Sequence, residues 1–136
     1  MSTAALTAAR HKRDSHSWRN TTVAVEAFAK ARTRPNDVAF FLESEPDATY
    51  GSIADEARRL ISALLELGLG NGDFVSFQIP NWREGAVIDI AAAALGLVVN
   101  PIVPIYRDAE LRFILGDAKT RLMFIPQSFR SIDYLE

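Results

Sequence analysis

Apolar positions change period several times along the chain, and each change marks an element. Val23, Ala27, Phe28 and Ala31 recur at helical spacing after Thr21 and Thr22, until Pro35, Asn36 and Asp37 interrupt them, which predicts a capped first helix. Val38 to Leu42 reads as a strand, Glu43 to Asp47 with Pro46 as a polar turn, and Ala48 to Tyr50 as a return to extended chain. From Ser52 the period becomes helical again. Ile53, Ala57, Leu60, Ile61 and Leu64 share one face, while Asp55, Glu56, Arg58, Arg59 and Glu66 lie elsewhere. Ser52 and Asp55 stand at capping-box spacing, and Gly68, Gly70 and Asn71-Gly72 supply the stop and turn.

Phe74 to Ile79 then reads as a strand. Asn81 with Glu84 then opens a helix carrying Ala86, Val87, Ile88, Ile90 and Ala91 to Leu95, with Asp89 as its lone interior charge, so this helix is expected to be largely buried. Leu97 to Val103 forms another strand marked by Pro101 and Pro104. Asp108 caps a fourth helix with Leu111, Ile114 and Leu115 inward, and Arg121 to Ile125 is a last strand. Strands alternating with helices of this length make parallel βαβ units, so the expected class is α/β: a layered, mostly parallel sheet with helices on both faces, plus a short N-terminal hairpin. Ser128 to Glu136 begins an apolar pattern that stops without a cap. The expected organisation is a flexible tail over residues 1–20 and one truncated domain over residues 21–136.

Composition bounds the function. The 136 residues carry 15 basic and 17 acidic side chains, a formal net charge of -2, with the signs mixed, so no footprint points to nucleic acid or an anionic membrane. Cysteine is absent, which excludes a disulfide framework, a thiolate nucleophile and a cysteine-bound metal, and fits a reducing, cytoplasmic setting. The apolar stretch Ala86 to Ile105 is broken by Asp89, Gly96, Asn100, Pro101 and Pro104 and cannot be a spanning helix. Arg10, Lys12, Arg13 and Arg19 among Ser and Thr have the flavour of a transit peptide, yet a plain tail accounts for them, and no apolar core of a secretory signal follows.

Candidate chemistry is sparse. The glycines at 68, 70 and 72 follow a helix and precede a strand, the reverse of a dinucleotide-binding turn, so they read as a helix stop. No phosphate-binding G-x-x-x-x-G-K-[ST] and no G-x-S-x-G nucleophile elbow occurs. His11 and His16 stand in the polar tail with only Asp14 near them, a poor metal set. Asp55 with Glu56 and Asp108 with Glu110 could be imagined as acid–base pairs, but first-turn acidic residues ordinarily serve the helix dipole. Trp82 and Tyr106 each follow a predicted strand end, where ligands of open α/β sheets bind; packing is the plainer role for both.

Read as phrases, TYGSIADEARRLISALLELGLGNGDFVSFQIPN and AALGLVVNPIVPIYRDAELRFILGDAKTRLMFIP resemble the amino-terminal region of acyl- and aryl-CoA synthetases and their acyl-adenylate-forming relatives, over roughly Thr22 to Glu136. The family pattern is held by Thr49 and Tyr50, Leu67 and Gly68, Gly72 and Asp73, Pro80 and Asn81, Gly96, Pro101 and Pro104, and Glu110 and Leu111. Asn71 replaces the usual turn proline. NPIVPIYRDAELRFIL and FIPQSFRSIDY are most similar to the branch acting on short, medium or alicyclic acids, such as cyclohexanecarboxylate–CoA ligases.

The resemblance implies a parent enzyme that joins a carboxylic acid to AMP with ATP and Mg2+, then exchanges AMP for the thiol of coenzyme A. The family's Ser/Thr/Gly-rich phosphate loop, ribose-binding aspartate and C-terminal lysine have no counterpart in these residues, so no catalytic, cofactor-binding or metal residue is assigned. The expected role is that of an inert N-terminal subdomain packing against the remainder of the protein and lining one side of the acyl pocket, prone to self-association when alone. Two other readings stay open: a stand-alone Rossmann-like interaction or nucleotide-binding module, and the start of a carrier-loading adenylation domain.

Overall fold

A computed structural model describes residues 20–43 and 46–134. The expected tail, apart from Asn20, lies outside the described residues with His11 and His16; so do Ser44 and Glu45 of the predicted turn, and Leu135 and Glu136.

Helix α1 (Val23–Thr33) starts at Thr22, whose Oγ1 accepts the Val25 amide at 3.3 Å. Strand β1 (Val38–Phe40) pairs antiparallel with β2 (Ala48–Thr49), which is the expected hairpin. Helix α2 (Tyr50–Glu66) begins earlier than the polar pattern suggests. Its cap is Thr49, in a reciprocal box: the Ser52 amide donates to Thr49 Oγ1 at 3.2 Å and the Thr49 amide to Ser52 Oγ at 3.1 Å. Ser52 therefore closes the box instead of opening it. Asp55, one turn further in, pairs with Arg58 at 2.6 Å.

The end of α2 follows the sequence reading. Gly68 takes a left-handed φ of 74°, its amide donates to Leu65 O at 2.9 Å, and the Leu69 amide donates to Leu64 O at 3.0 Å. These are the two bonds of a Schellman stop, satisfying carbonyls the helix leaves open.

Strand β3 (Phe74–Phe77), helix α3 (Arg83–Leu95), strand β4 (Val98–Pro101), helix α4 (Asp108–Ala118) and strand β5 (Leu122–Phe124) follow in order. The three strands form one parallel sheet in the order β4-β3-β5, with Val75 opposite both Val99 and Leu122. Ser128–Phe129 (β6) and Ile132–Asp133 (β7) make a small antiparallel hairpin, so the last apolar pattern of the chain is a turn-back.

Because side chains alternate along a strand, β3 shows two different faces. Val75 points under α2 and α3 into a cluster with Leu64, Leu69, Ala91, Ala92 and Leu97, while a second cluster of Ala24, Ala48, Ile53, Ala57, Val87 and Ile90 joins α1 to the same layer. Ser76 and Gln78 point the other way, toward the β4–α4–β5 crossover, and both are fully buried. Ser76 Oγ lies 2.7 Å from Thr120 Oγ1 and accepts from Asn100 Nδ2 at 3.2 Å, a polar chain across the sheet. The outer strands thus lie on either side of β3, with their crossover helices on opposite faces, as right-handed connections require.

Leu111, Ile114 and Leu115, expected inward on α4, are half-buried while Arg112, Phe113 and Asp117 are exposed, so they mark the inner face, although no residue of the helix is fully buried. Asp108 is not the cap: Arg107 is, and its amide donates to Glu110 Oε2 at 3.2 Å.

The Gly72-Asp73 turn locks the start of the sheet. Asp73 Oδ2 accepts the Gly70 amide at 2.9 Å and Arg121 Nη1 at 2.6 Å, and Arg121 also reaches Gly68 O at 3.3 Å. The Gly70 hydrogen bond first, then Arg121, hold the Asp73 carboxyl below the usual carboxylate range against the opposing effect of burial. A depressed folded pKa stabilises above the unfolded value and is lost as pH falls through the folded one. Asp73→Asn should therefore lower the urea midpoint at neutral pH, and the gap to wild type should close below about pH 4. A gap that stays constant to low pH would show that the charge contributes nothing.

Candidate functional site

A parallel sheet binds ligands beyond the carboxyl ends of its strands, at the point where successive connections leave in opposite directions. In the order β4-β3-β5 the chain leaves β3 toward β4 and then crosses back to β5, so that point lies between β3 and β5. A crevice of about 230 Å³ opens there, lined by Ile79 after β3, Phe124 and Pro126 at β5, and Trp82, Glu84 and Ile88 of the α3 segment.

Trp82 is placed by the turn Ile79-Pro80-Asn81 and serves as N-cap of α3 without a side-chain capping bond. The Asn81–Glu84 box expected from sequence does not form: the helix starts one residue later than that spacing requires. Trp82 meets Phe129 of the β6–β7 hairpin edge-on, with ring centroids 5.9 Å apart and planes at 84°. It also borders two further clefts, one with Phe77, Ala86 and Asp89, the other with Phe41 and Arg83. Sequence reasoning thus found Trp82 at a ligand-sized cleft, and packing and lining prove compatible for it.

Tyr106 follows β4, on the other flank of β3, and is used through its backbone. Gln78 Nε2 donates to Tyr106 O at 2.9 Å and to Val103 O at 3.0 Å. Two carbonyls oblige the amide to present its nitrogen, which leaves buried Gln78 Oε1 without a partner among the described residues. Arg107 Nη1 donates to Pro104 O and Tyr106 O, both at 2.7 Å, and the Tyr134 hydroxyl to Pro104 O at 3.2 Å, so the whole loop after β4 is tied down. Gln78 was not singled out from sequence. Its signal was a long polar side chain inside the apolar run Phe74–Ile79.

The acidic pairs weighed as acid–base candidates do structural work. Asp55 pairs with Arg58 and Glu56 with Arg83, in the second turn of α2 and not the first. Glu110 is held below the usual carboxylate range by its own amide and that of Arg107. Among the described residues no group of three His, Cys, Asp or Glu converges as a metal site. The switch-point crevice carries one carboxylate, Glu84, and no cation, which is the wrong sign for a triphosphate. ATP therefore does not fit the lining of this crevice by itself. What the crevice can do is present an apolar, aromatic wall.

No helix among the described residues is long and apolar enough to cross a membrane. The family model described as AMP-binding enzyme matches residues 27–135. The chain is 32% identical over 100 residues to the medium-chain fatty-acid–CoA ligase of Escherichia coli, covering 74% of this chain and 18% of the relative. It is 41% identical over 76 residues to the sulfoacetate–CoA ligase of Cupriavidus necator, covering 56% of this chain and 15% of the relative. Among solved structures, the N-terminal subdomain of Klebsiella oxytoca NpsA superposes with a TM-score of 0.69 at 22% identity, over 82% of this chain and 29% of that one, a likeness of fold. The chain spans less than a fifth of the two curated relatives' length.

Proposed function

This chain belongs to the AMP-binding enzyme family, and from that premise we propose that it is the N-terminal scaffold of an acid–CoA ligase. The parent protein activates a carboxylic acid as its acyl-adenylate with ATP and Mg2+, and passes the acyl group to coenzyme A in the cytoplasm. The observation that carries this reading is the match over residues 27–135 together with relatives named as CoA ligases for two different acids. Residues 21–136 act as one subdomain behind a tail of residues 1–20, and the stretch contributes no catalytic residue.

Physical chemistry supports the division of labour. Adenylation develops charge on phosphate oxygens and depends on positioned cations and amide donors. Here the arginines near the strand ends are spent: Arg83 on Glu56, Arg107 on two carbonyls, Arg121 on Asp73. The scaffold instead offers the apolar wall around Trp82, Ile79 and Phe124, suited to one side of an acyl pocket. Isolated, it exposes Val103, Ile105 and Phe113, which favours self-association.

The test is made on the complete polypeptide that carries this chain. With ATP, Mg2+ and a panel of carboxylic acids, labelled pyrophosphate should exchange into ATP for at least one acid, and adding coenzyme A should release the thioester. Exchange without any CoA-dependent product would favour a carrier-loading enzyme, and no exchange with any acid would overturn the ligase reading.

A further inference from the structure

Of the chain's five asparagines only Asn71 is followed by glycine; the others precede Thr21, Asp37, Trp82 and Pro101. An asparagine side-chain amide is open to attack by the backbone nitrogen of the next residue. Glycine, with no Cβ, shields that nitrogen least and lets it swing most freely. Asn71 and Gly72 form the centre of the turn between α2 and β3. The Asp73 amide donates to Gly70 O at 3.0 Å and Gly72 takes a φ of 88°, the type II pattern, in which proline ordinarily suits the place that Asn71 holds. Both residues are exposed, so water reaches them.

The fold holds both reacting groups against one residue, Gly96 at the end of α3. The Gly72 amide donates to Gly96 O at 2.9 Å, and Asn71 Oδ1 stands 2.3 Å from where a Cβ on Gly96 would lie. A nitrogen whose proton is held by a carbonyl is a poor nucleophile, and a side chain seated against Gly96 is not free to turn back on its own backbone.

We propose that Asn71 is a self-modifying site whose conversion to aspartate and isoaspartate is gated by its contacts with Gly96. When the turn opens, the Gly72 nitrogen loses its proton to water and adds to Asn71 Cγ. The new C–N bond closes a succinimide ring, the Cγ–Nδ2 bond breaks, and Nδ2 leaves as ammonia, taking a proton back from water. A second water opens the ring at either carbonyl, to aspartate or to isoaspartate, so water is the one co-reactant and nothing is oxidised or reduced. Either product places a negative charge two residues from the Asp73 carboxylate, and isoaspartate also adds a methylene to the backbone of the turn. The Gly72–Gly96 and Asp73–Arg121 bonds anchor this end of the sheet, so the converted chain should unfold at lower urea. The inference rests on the turn alone and is independent of the ligase reading.

The purified 136-residue chain, incubated at mildly alkaline pH, is followed by peptide mass spectrometry, with isoaspartate methyltransferase as a second readout. In the folded chain Asn71 should convert ahead of the other asparagines. In urea above the unfolding midpoint it should convert about threefold to tenfold faster, the rate equivalent of one hydrogen bond. Gly96→Ala, whose methyl group displaces the Asn71 side chain, should raise the folded rate toward the urea rate and leave the urea rate unchanged; circular dichroism confirms that it folds. Asn71→Pro, which this turn accommodates, should keep its urea midpoint through an incubation that lowers the wild type's. Conversion of Asn71 no faster than that of Asn36 or Asn81 would overturn the site, and equal rates in the folded and urea-unfolded chain would overturn the gate.

Discussion

Leu64→Ala is expected to lower the unfolding free energy of the isolated chain by about 2–5 kcal/mol, which is a large share of the total for a domain of this size. Leu64 is 1% exposed and touches the underside of α3 and the sheet through Leu69, Val75, Ala91, Ala92 and Leu97. Its neighbours Ala91 and Ala92 have no longer side chain with which to fill a void. The sheet beneath is held in register by parallel ladders on both sides of Val75, so it cannot subside into the space. A urea titration measures the loss. A change below about 1 kcal/mol would mean that the α2–α3 layer collapses freely and is not a packed core.

Gly96→Val should cost about 1–3 kcal/mol, for a different reason. Gly96 closes α3 in the left-handed region at φ 69°, where a β-branched residue is a steric outlier. Its carbonyl accepts the Gly72 amide at 2.9 Å, and a methyl group at this position would run into Asn71 Oδ1, so two turns from distant parts of the chain meet there. The two causes can be separated by variants. Gly96→Asn should be milder, because asparagine tolerates the left-handed region, and Asn71→Ala should relieve the clash while leaving the backbone cost. If Gly96→Asn proves as damaging as Gly96→Val in thermal melts, the contact with Asn71 dominates and the backbone conformation does not.

Much of this architecture was legible in the residues because it rests on periodicity. The change from helical spacing in Ile53, Ala57 and Leu64 to the apolar run at Phe74 gives both the elements and the buried set, and Leu64 and Val75 are indeed at the centre of the core. Gly68 announced the Schellman stop because no other residue takes a positive φ as readily. Helix starts were less legible. Thr49, Ser52 and Asp55 all suit a helix entrance, and only the geometry shows that the reciprocal bonds run between Thr49 and Ser52. Asn81 and Asp108 misled in the same way, since residues good at capping are also good one position to either side of the cap.

The site was less legible still, because its parts come from strands far apart in the chain. Trp82 could be placed at a strand end from sequence, but its meeting with Phe129 depends on the β6–β7 hairpin, whose four paired residues give hardly any period to read. The spacing of Leu111, Ile114 and Leu115 does mark the half-buried face of α4, but not its depth, because amphipathic spacing tells which residues share a face and not how much surface covers them. Buried Gln78, tying the loop after β4, is the residue that sequence offered most plainly and periodicity passed over.

The central claim is that this chain is scaffold, with the adenylating machinery elsewhere in the parent protein. The most direct measurement is ATP–pyrophosphate exchange by the purified 136-residue chain, run beside the complete polypeptide with the same acids and Mg2+. The expected result is exchange by the complete protein and none above background by the chain alone. Acid-dependent exchange by the chain alone would contradict the claim and place the chemistry among residues read here as structural.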